Sequence, residues 1–270
     1  MNLFKNSDIK KINSLVFDFI DYKYRDHIFS IILNRPQKKN ALHPQMINEL
    51  AFLCQYAQLD KKVKVVLIKA VGDVFCAGFD LSSMSGKTAK TKSTVPNPKI
   101  KIILGEILNK LHKPKICQLD GDVYAGGLLI VSSCNYVIST QNVIIGLPEV
   151  KRGIFPFQVM ESLFKVINYK KLIDWCIRGY NLDASKAKDF GLIDEIVDSH
   201  ELEKSIKSWI SDIIQNSTQA ISFGLECADN LYNSSNNHKY LSKMLKKSSE
   251  SKDAKEGIKA FFDSRKPKWD

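Results

Sequence analysis

The sequence predicts an α/β protein, with strands alternating with helices over most of the chain and a purely helical C-terminal region. Three observations carry this prediction. Runs of β-branched and aromatic residues recur up to residue 197, stretches with apolar residues at helical spacing separate them, and beyond about residue 200 only helical patterning remains. With 270 residues, 44% hydrophobic and 26% charged, the chain can bury one large core, and its composition excludes collagenous, low-complexity and mostly disordered classes. The pattern divides into an N-terminal extension over 1–14, a core over 15–199 and a helical region over 200–270.

Residues 15–20 and 27–33 read as adjacent strands joined through 22–26. Asn34-Arg35-Pro36 ends the second, because proline removes a donor and restricts its neighbour. Apolar residues at 46, 47, 50, 53, 54 and 57 make 44–59 an amphipathic helix with Pro44 in its first turn. A buried strand over 63–70, a helix over 100–112 and a strand over 116–119 follow. Next come a Gly-rich turn, a short apolar helix over 126–134 and strands near 136–139 and 143–146. Beyond Gly153 the chain turns helical; Asp183 caps a short helix that Gly191 stops, and 193–197 is the last strand. Residues 85–99 read as a low-order loop, functional or mobile, bordering the substrate site.

Forty Lys+Arg against 29 Asp+Glu give a net charge of +11, which favours anionic partners. Between Lys239 and Lys268 ten basic residues face four acidic ones, but aromatic residues do not alternate with them, so a nucleic-acid groove is not supported. The six cysteines form no C-x-x-C pair and the five histidines lack metal-ligand spacing, so reduced, mostly buried thiols and no metal are expected. The start lacks the apolar stretch of a signal peptide, and no apolar run is long enough to span a bilayer. A cytoplasmic protein without membrane contact is the expectation.

Two short turns carry candidate chemistry. Phe75-Cys76-Ala77-Gly78-Phe79-Asp80-Leu81 follows a buried strand, and Asp120 through Gly127, ending Ala-Gly-Gly, lies between a strand and a helix. A Gly-Gly pair opening a helix presents free N–H groups at the positive end of the helix dipole. Two such turns can aim two donors at one oxygen, the construction of an oxyanion hole. Glycines at such junctions also serve plain packing. No G-x-G-x-x-G or Walker A pattern is present, so a nucleotide cradle is unsupported. Glu149 follows Pro148 in an otherwise apolar stretch, either as a proton-transfer group or as a structural carboxylate paired with Lys151 or Arg152. Cys76 has no histidine placed near it by motif, and Ser132 and Ser133 lack a nucleophile elbow.

Further segments join these: Asn34-Arg35-Pro36 with Asn40-Ala41-Leu42; Gly121 through Asn135; Gly146-Leu147-Pro148-Glu149-Val150 with Gly153; Asp183-Ala184, Ala187 and Gly191-Leu192-Ile193; and a Lys266-Pro267-Lys268-Trp269 ending. In this order they resemble the enoyl-CoA hydratase/isomerase (crotonase) superfamily. The resemblance implies a spiral of ββα units, a homotrimer or hexamer, and acyl-CoA thioester substrates, with CoA as part of the substrate and no separate cofactor. It places the thioester oxygen on the N–H groups of Phe79 and Gly126, and proton transfer on Glu149. Ala77, Gly78, Asp80 and Leu81, with Lys38 and Ala41 upstream, then lie where the family holds CoA.

The pattern breaks where the family's hydratases carry a first glutamate, a position held here by Leu129. A water molecule to be added needs acceptors that leucine lacks. One carboxylate in a dry pocket suits moving a proton from C2 to C4 of a 3-enoyl thioester, so double-bond isomerisation is the preferred expectation. Hydration or dehydration is the alternative. Leu128 also replaces the usual third glycine, and Pro156-Phe157-Gln158 replaces a Pro-Gly stretch. Ala-Gly-Gly with Ile-Phe-Pro-Phe resembles the branch that dehydrates acyl groups on a carrier protein in polyketide β-branching. A member that binds thioesters without catalysis is the reading from another class.

Overall fold

The computed structural model of the protein describes residues 1–84, 90–153, 155–232 and 250–268. Strands β1 (Ile20–Arg25) and β2 (Ile28–Leu33) pair as an antiparallel hairpin. Asp26 and His27, at φ 50° and 66°, form its two-residue turn, the left-handed geometry that matches strand twist. This corrects the first expected strand: residues 20–25 pair, whereas 15–19 approach the sheet irregularly. The buried Glu49 carboxylate holds them there, accepting the N–H groups of Asp18 and Phe19 at 2.9 Å each.

Helix α1 (Asn6–Ile9) belongs to an N-terminal segment whose Leu3, Phe4, Ile9 and Ile12 are buried. Helix α2 (Pro44–Leu59) keeps its expected bounds, with His43 Nδ1 accepting the Gln45 N–H at its start. From α2, Gln55 Oε1 accepts the N–H groups of Leu3 and Phe4, anchoring that segment.

From here the chain repeats one step: a strand of the large sheet, a three-residue strand of a second sheet, then a helix. Strands β3 (Val65–Ala70) and β4 (Val74–Cys76) precede α3 (Leu81–Met84) and α4 (Leu104–Asn109). Strands β5 (Lys115–Leu119) and β6 (Asp122–Tyr124) precede α5 (Leu128–Val131). Strands β7 (Tyr136–Thr140) and β8 (Ile144–Gly146) precede α6 (Phe157–Leu163) and α7 (Tyr169–Arg178). Strand β9 (Asn181–Asp183), α8 (Ala184–Asp189) and β10 (Glu195–Val197) close the core. Asp183 caps α8 by accepting the Lys186 N–H, as its sequence predicts. Helices α9 (Leu202–Ile214), α10 (Thr218–Tyr232) and α11 (Lys252–Phe262) follow.

The large sheet has the order β1-β2-β3-β5-β7-β10 and is parallel beyond the hairpin; the second has the order β4-β6-β8-β9. This is the expected spiral of ββα units with helical C-terminal packing. Helix α4 is shorter than the expected 100–112, because Ile103 is still extended and the Lys99 N–H donates to Leu3 O at 2.8 Å.

The described part of the 85–99 loop is an ordered strap. Thr94 and Val16 exchange two hydrogen bonds, Asp18 accepts from Thr91 Oγ1 and the Lys92 N–H, and Val95 is buried. Residues 85–89, the basic run over 239–249 and the terminal Trp269 lie outside the described residues. Four of the six cysteines are buried, and all six are free thiols. No helix among the described residues is long and apolar enough to cross a membrane.

Candidate active site

Strands β4, β6 and β8 are adjacent and parallel, with Cys76 opposite Val123 and Tyr124 opposite Gly146. The segments that leave their C-terminal ends are the Ala77–Asp80 turn, the Ala125–Gly127 turn and the Leu147–Glu149 stretch. Three sequence-distant candidate motifs therefore emerge at one edge of one small sheet, where open α/β sheets bind ligands.

The first turn is built on the 34–42 segment. Asn40, fully buried at φ 51°, accepts the Arg35 N–H and donates through Nδ2 to Val71 O at 2.9 Å and Val74 O at 2.7 Å. Arg35 Nη1 donates to Asp80 Oδ2 at 2.7 Å and to Ala41 O at 3.0 Å, and both charged side chains are buried. Burial alone pushes the Asp80 carboxyl up, but the Arg35 hydrogen bond and charge, with the N–H groups of Ser82 and Ser83, hold it below the ordinary range. Leu42 donates its N–H to Gly78 O and accepts the Asp80 N–H, so Leu42 bridges Phe79 in parallel register. In such a bridge the N–H and C=O of Phe79 itself point away from Leu42.

The second turn packs directly on the first. Gly78 lies at φ 90°, and a Cβ there would stand 2.9 Å from Ala125 Cβ and 3.1 Å from Gly126 N. A Cβ on Gly126 would stand 2.7 Å from the Phe79 ring. These glycines are packing devices, and their packing is what brings the Phe79 and Gly126 turns into contact. Ala125 carries the strain, a non-glycine residue at φ 50°.

Glu149 opens a 3-10 turn over Glu149–Arg152. It is half-buried, with Oε2 out of contact with water. Cys176 of α7 lies close enough that Glu149 adds to the effect of burial in pushing that thiol up to about 11. Of the expected CoA-binding residues, Lys38 is exposed, and its carbonyl accepts the Ala41 N–H at 3.0 Å. The Ala77 N–H donates to Lys39 O, so Lys38, Ala41, Ala77, Gly78 and Asp80 form one hydrogen-bonded neighbourhood. Leu81 begins α3 beside them. Asp80 uses its carboxylate within the protein, on Arg35 and the Ser82 N–H, and its main chain as well, donating to Leu42 O and accepting the Ser83 N–H. Cys76 is a packed thiol, donating to Asn40 O and pushed by burial to about 12. The roles of Arg35 and Asn40 in shaping this turn are not expected from the sequence, where their N-R-P-x-x-x-N spacing is the signal that marks them.

Leu129, which the resemblance sets where the family's hydratases carry a first glutamate, is buried. Among the described residues one group, Asp198, His200 and Glu201, brings metal-binding atoms within 4.8 Å of one another; all three are exposed, ahead of α9.

The family model for enoyl-CoA hydratase/isomerase matches residues 23–270. The chain belongs to this family. The chain is 26% identical over 251 residues to a mevalonyl-coenzyme A hydratase of Aspergillus fumigatus, covering 90% of this chain and 91% of that protein. It is 25% identical to a probable enoyl-CoA hydratase of Bacillus subtilis, covering 90% of this chain and 96% of the relative. The fold is similar to that of an enoyl-CoA hydratase from Shewanella pealeana, with a TM-score of 0.83, 21% identity, and coverage of 98% of this chain and 100% of that one.

Proposed function

We propose that this family member is an acyl-CoA enzyme that polarises a thioester carbonyl with the N–H groups of Phe79 and Gly126 and moves a proton with Glu149. Removing a proton α to the thioester makes an enolate, and each pre-aimed donor contributes about 2.7–4 kcal/mol toward stabilising it. Glu149, half-buried beside β8, takes the proton and returns it. Lys38, Ala41 and the 77–81 turn hold the CoA moiety; carrier-protein thioesters share the same reacting group. The working assembly is a homotrimer or hexamer.

The observation that supports one family reaction over another is Leu129. A buried leucine stands where a second acid would hold water. A single carboxylate without a held water suits return of the proton to C4, which is 3-enoyl to 2-enoyl isomerisation. Hydration is the second reading, favoured by relatives that are named hydratases. Purified protein offered 3-enoyl-CoA and trans-2-enoyl-CoA separates the two. Isomerisation predicts 2-enoyl product from the first ester and little 3-hydroxy product from the second. Predominant 3-hydroxy product from the 2-enoyl ester overturns it in favour of hydration.

A further inference from the structure

A cleft of about 470 Å³ opens between α4 and α6 and reaches α10. Its inner wall includes Leu129, three residues beyond Gly126, which is less than one helical turn of about 5.4 Å. A chain leaving a carbonyl held at the Gly126 N–H therefore has this cleft within reach. Gly105 keeps it open: a Cβ there would stand 3.2 Å from Ser162 Oγ and 3.8 Å from Leu129 Cδ2.

The lining is unlike that of a hydrocarbon pocket. Deeper in, Lys165 Nζ pairs with Asp229 Oδ1 at 3.2 Å, each side chain 23% exposed. At the rim Glu106 pairs with Lys110 at 3.1 Å, and Glu161 adds a further acid. Three acids against two bases leave the lining net negative. Such a wall opposes a carboxylate, and its polar groups lose hydrogen bonds to water when a plain alkyl chain covers them.

We infer that this cleft receives the far end of the acyl chain, that Gly105 sets how far the chain enters, and that the cleft selects an uncharged tail bearing a hydroxyl or similar hydrogen-bonding group. The inference rests on the reading of Gly126 as a thioester-binding amide. The test uses three enoyl-CoA esters of equal length ending in methyl, hydroxyl or carboxylate, and a four-carbon ester as reference.

The hydroxyl ester should exceed the methyl ester about tenfold in kcat/KM, the worth of one added hydrogen bond, with the carboxylate ester lowest. Gly105→Leu should lower kcat/KM for the long esters at least about tenfold more than for the four-carbon ester, by filling space next to Ser162 and Leu129. Gly105→Ala, which suits a helix, should shift the same ratio in the same direction by less. A methyl or carboxylate ester turned over as well as the hydroxyl ester, or a Gly105 series that leaves the long-to-short ratio unchanged, overturns the inference while leaving the thioester reading intact. No turnover of any ester overturns both.

Discussion

At the residue scale the site depends on a buried ion pair within its first turn. Arg35 and Asp80 lie 45 residues apart in sequence and meet at 2.7 Å, fixing the turn that carries Phe79. Removing one partner leaves the other buried and charged, so Arg35→Met should destabilise the fold by about 3–5 kcal/mol, read by denaturant unfolding. The pH dependence has a definite sign. The Asp80 carboxyl titrates lower in the folded chain than in the unfolded one, so its contribution is present above the unfolded value and is lost as pH falls through the folded value. Asp80→Asn should therefore be less stable at neutral pH and lose stability less steeply on acidification. An Asp80→Asn acid limb as steep as that of the parent contradicts this role.

Glu149 and the two glycine turns were legible in the sequence because glycine and proline punctuate locally. The Arg35–Asp80 and Asn40 contacts were not, because nothing local says where a guanidinium or an amide ends up.

At the element scale, long elements with a clear period were read well. Helix α2 runs over its expected 44–59, and the large-sheet strands β3, β5 and β7 fall within two residues of their expected ends. Strands β4, β6 and β9 are not legible in the sequence, because each has only three residues, too few to display an alternation of two. These small strands place the site. Strand β5 also carries an unexpected burden, because its Lys115 is buried with Nζ donating to Leu111 O at 2.8 Å.

Burial lowers the Lys115 pKa, with the neighbouring Cys134 and Cys54 acting against it. The folded chain thus releases this proton more readily than the unfolded one, and stability rises with pH from the folded value toward the ordinary lysine value. Lys115→Met should flatten that rise and leave stability at neutral pH equal or higher, since an apolar side chain of similar size avoids the desolvation. Thermal melts across pH check this; a clear loss of stability at neutral pH contradicts it.

At the scale of the whole molecule, sheet order was beyond the reach of local patterning. The spiral of ββα units entered through resemblance, because the order of motifs along the chain is distinctive even where each motif alone is weak. Phe157, Tyr169 and Ile177, 68%, 65% and 58% exposed on α6 and α7, are large apolar side chains that the proposed trimer or hexamer has reason to cover. What the assembled fold achieves is convergence: three parallel strands deliver two main-chain amides and one carboxylate to the same edge. The most direct measurement of that convergence is deuterium exchange at the α carbon of a bound acyl-CoA in heavy water, for the parent and for Glu149→Gln. The account predicts exchange in the parent and a loss of at least about 100-fold in the variant, with the ester still bound. Exchange at the parental rate without the Glu149 carboxylate contradicts it.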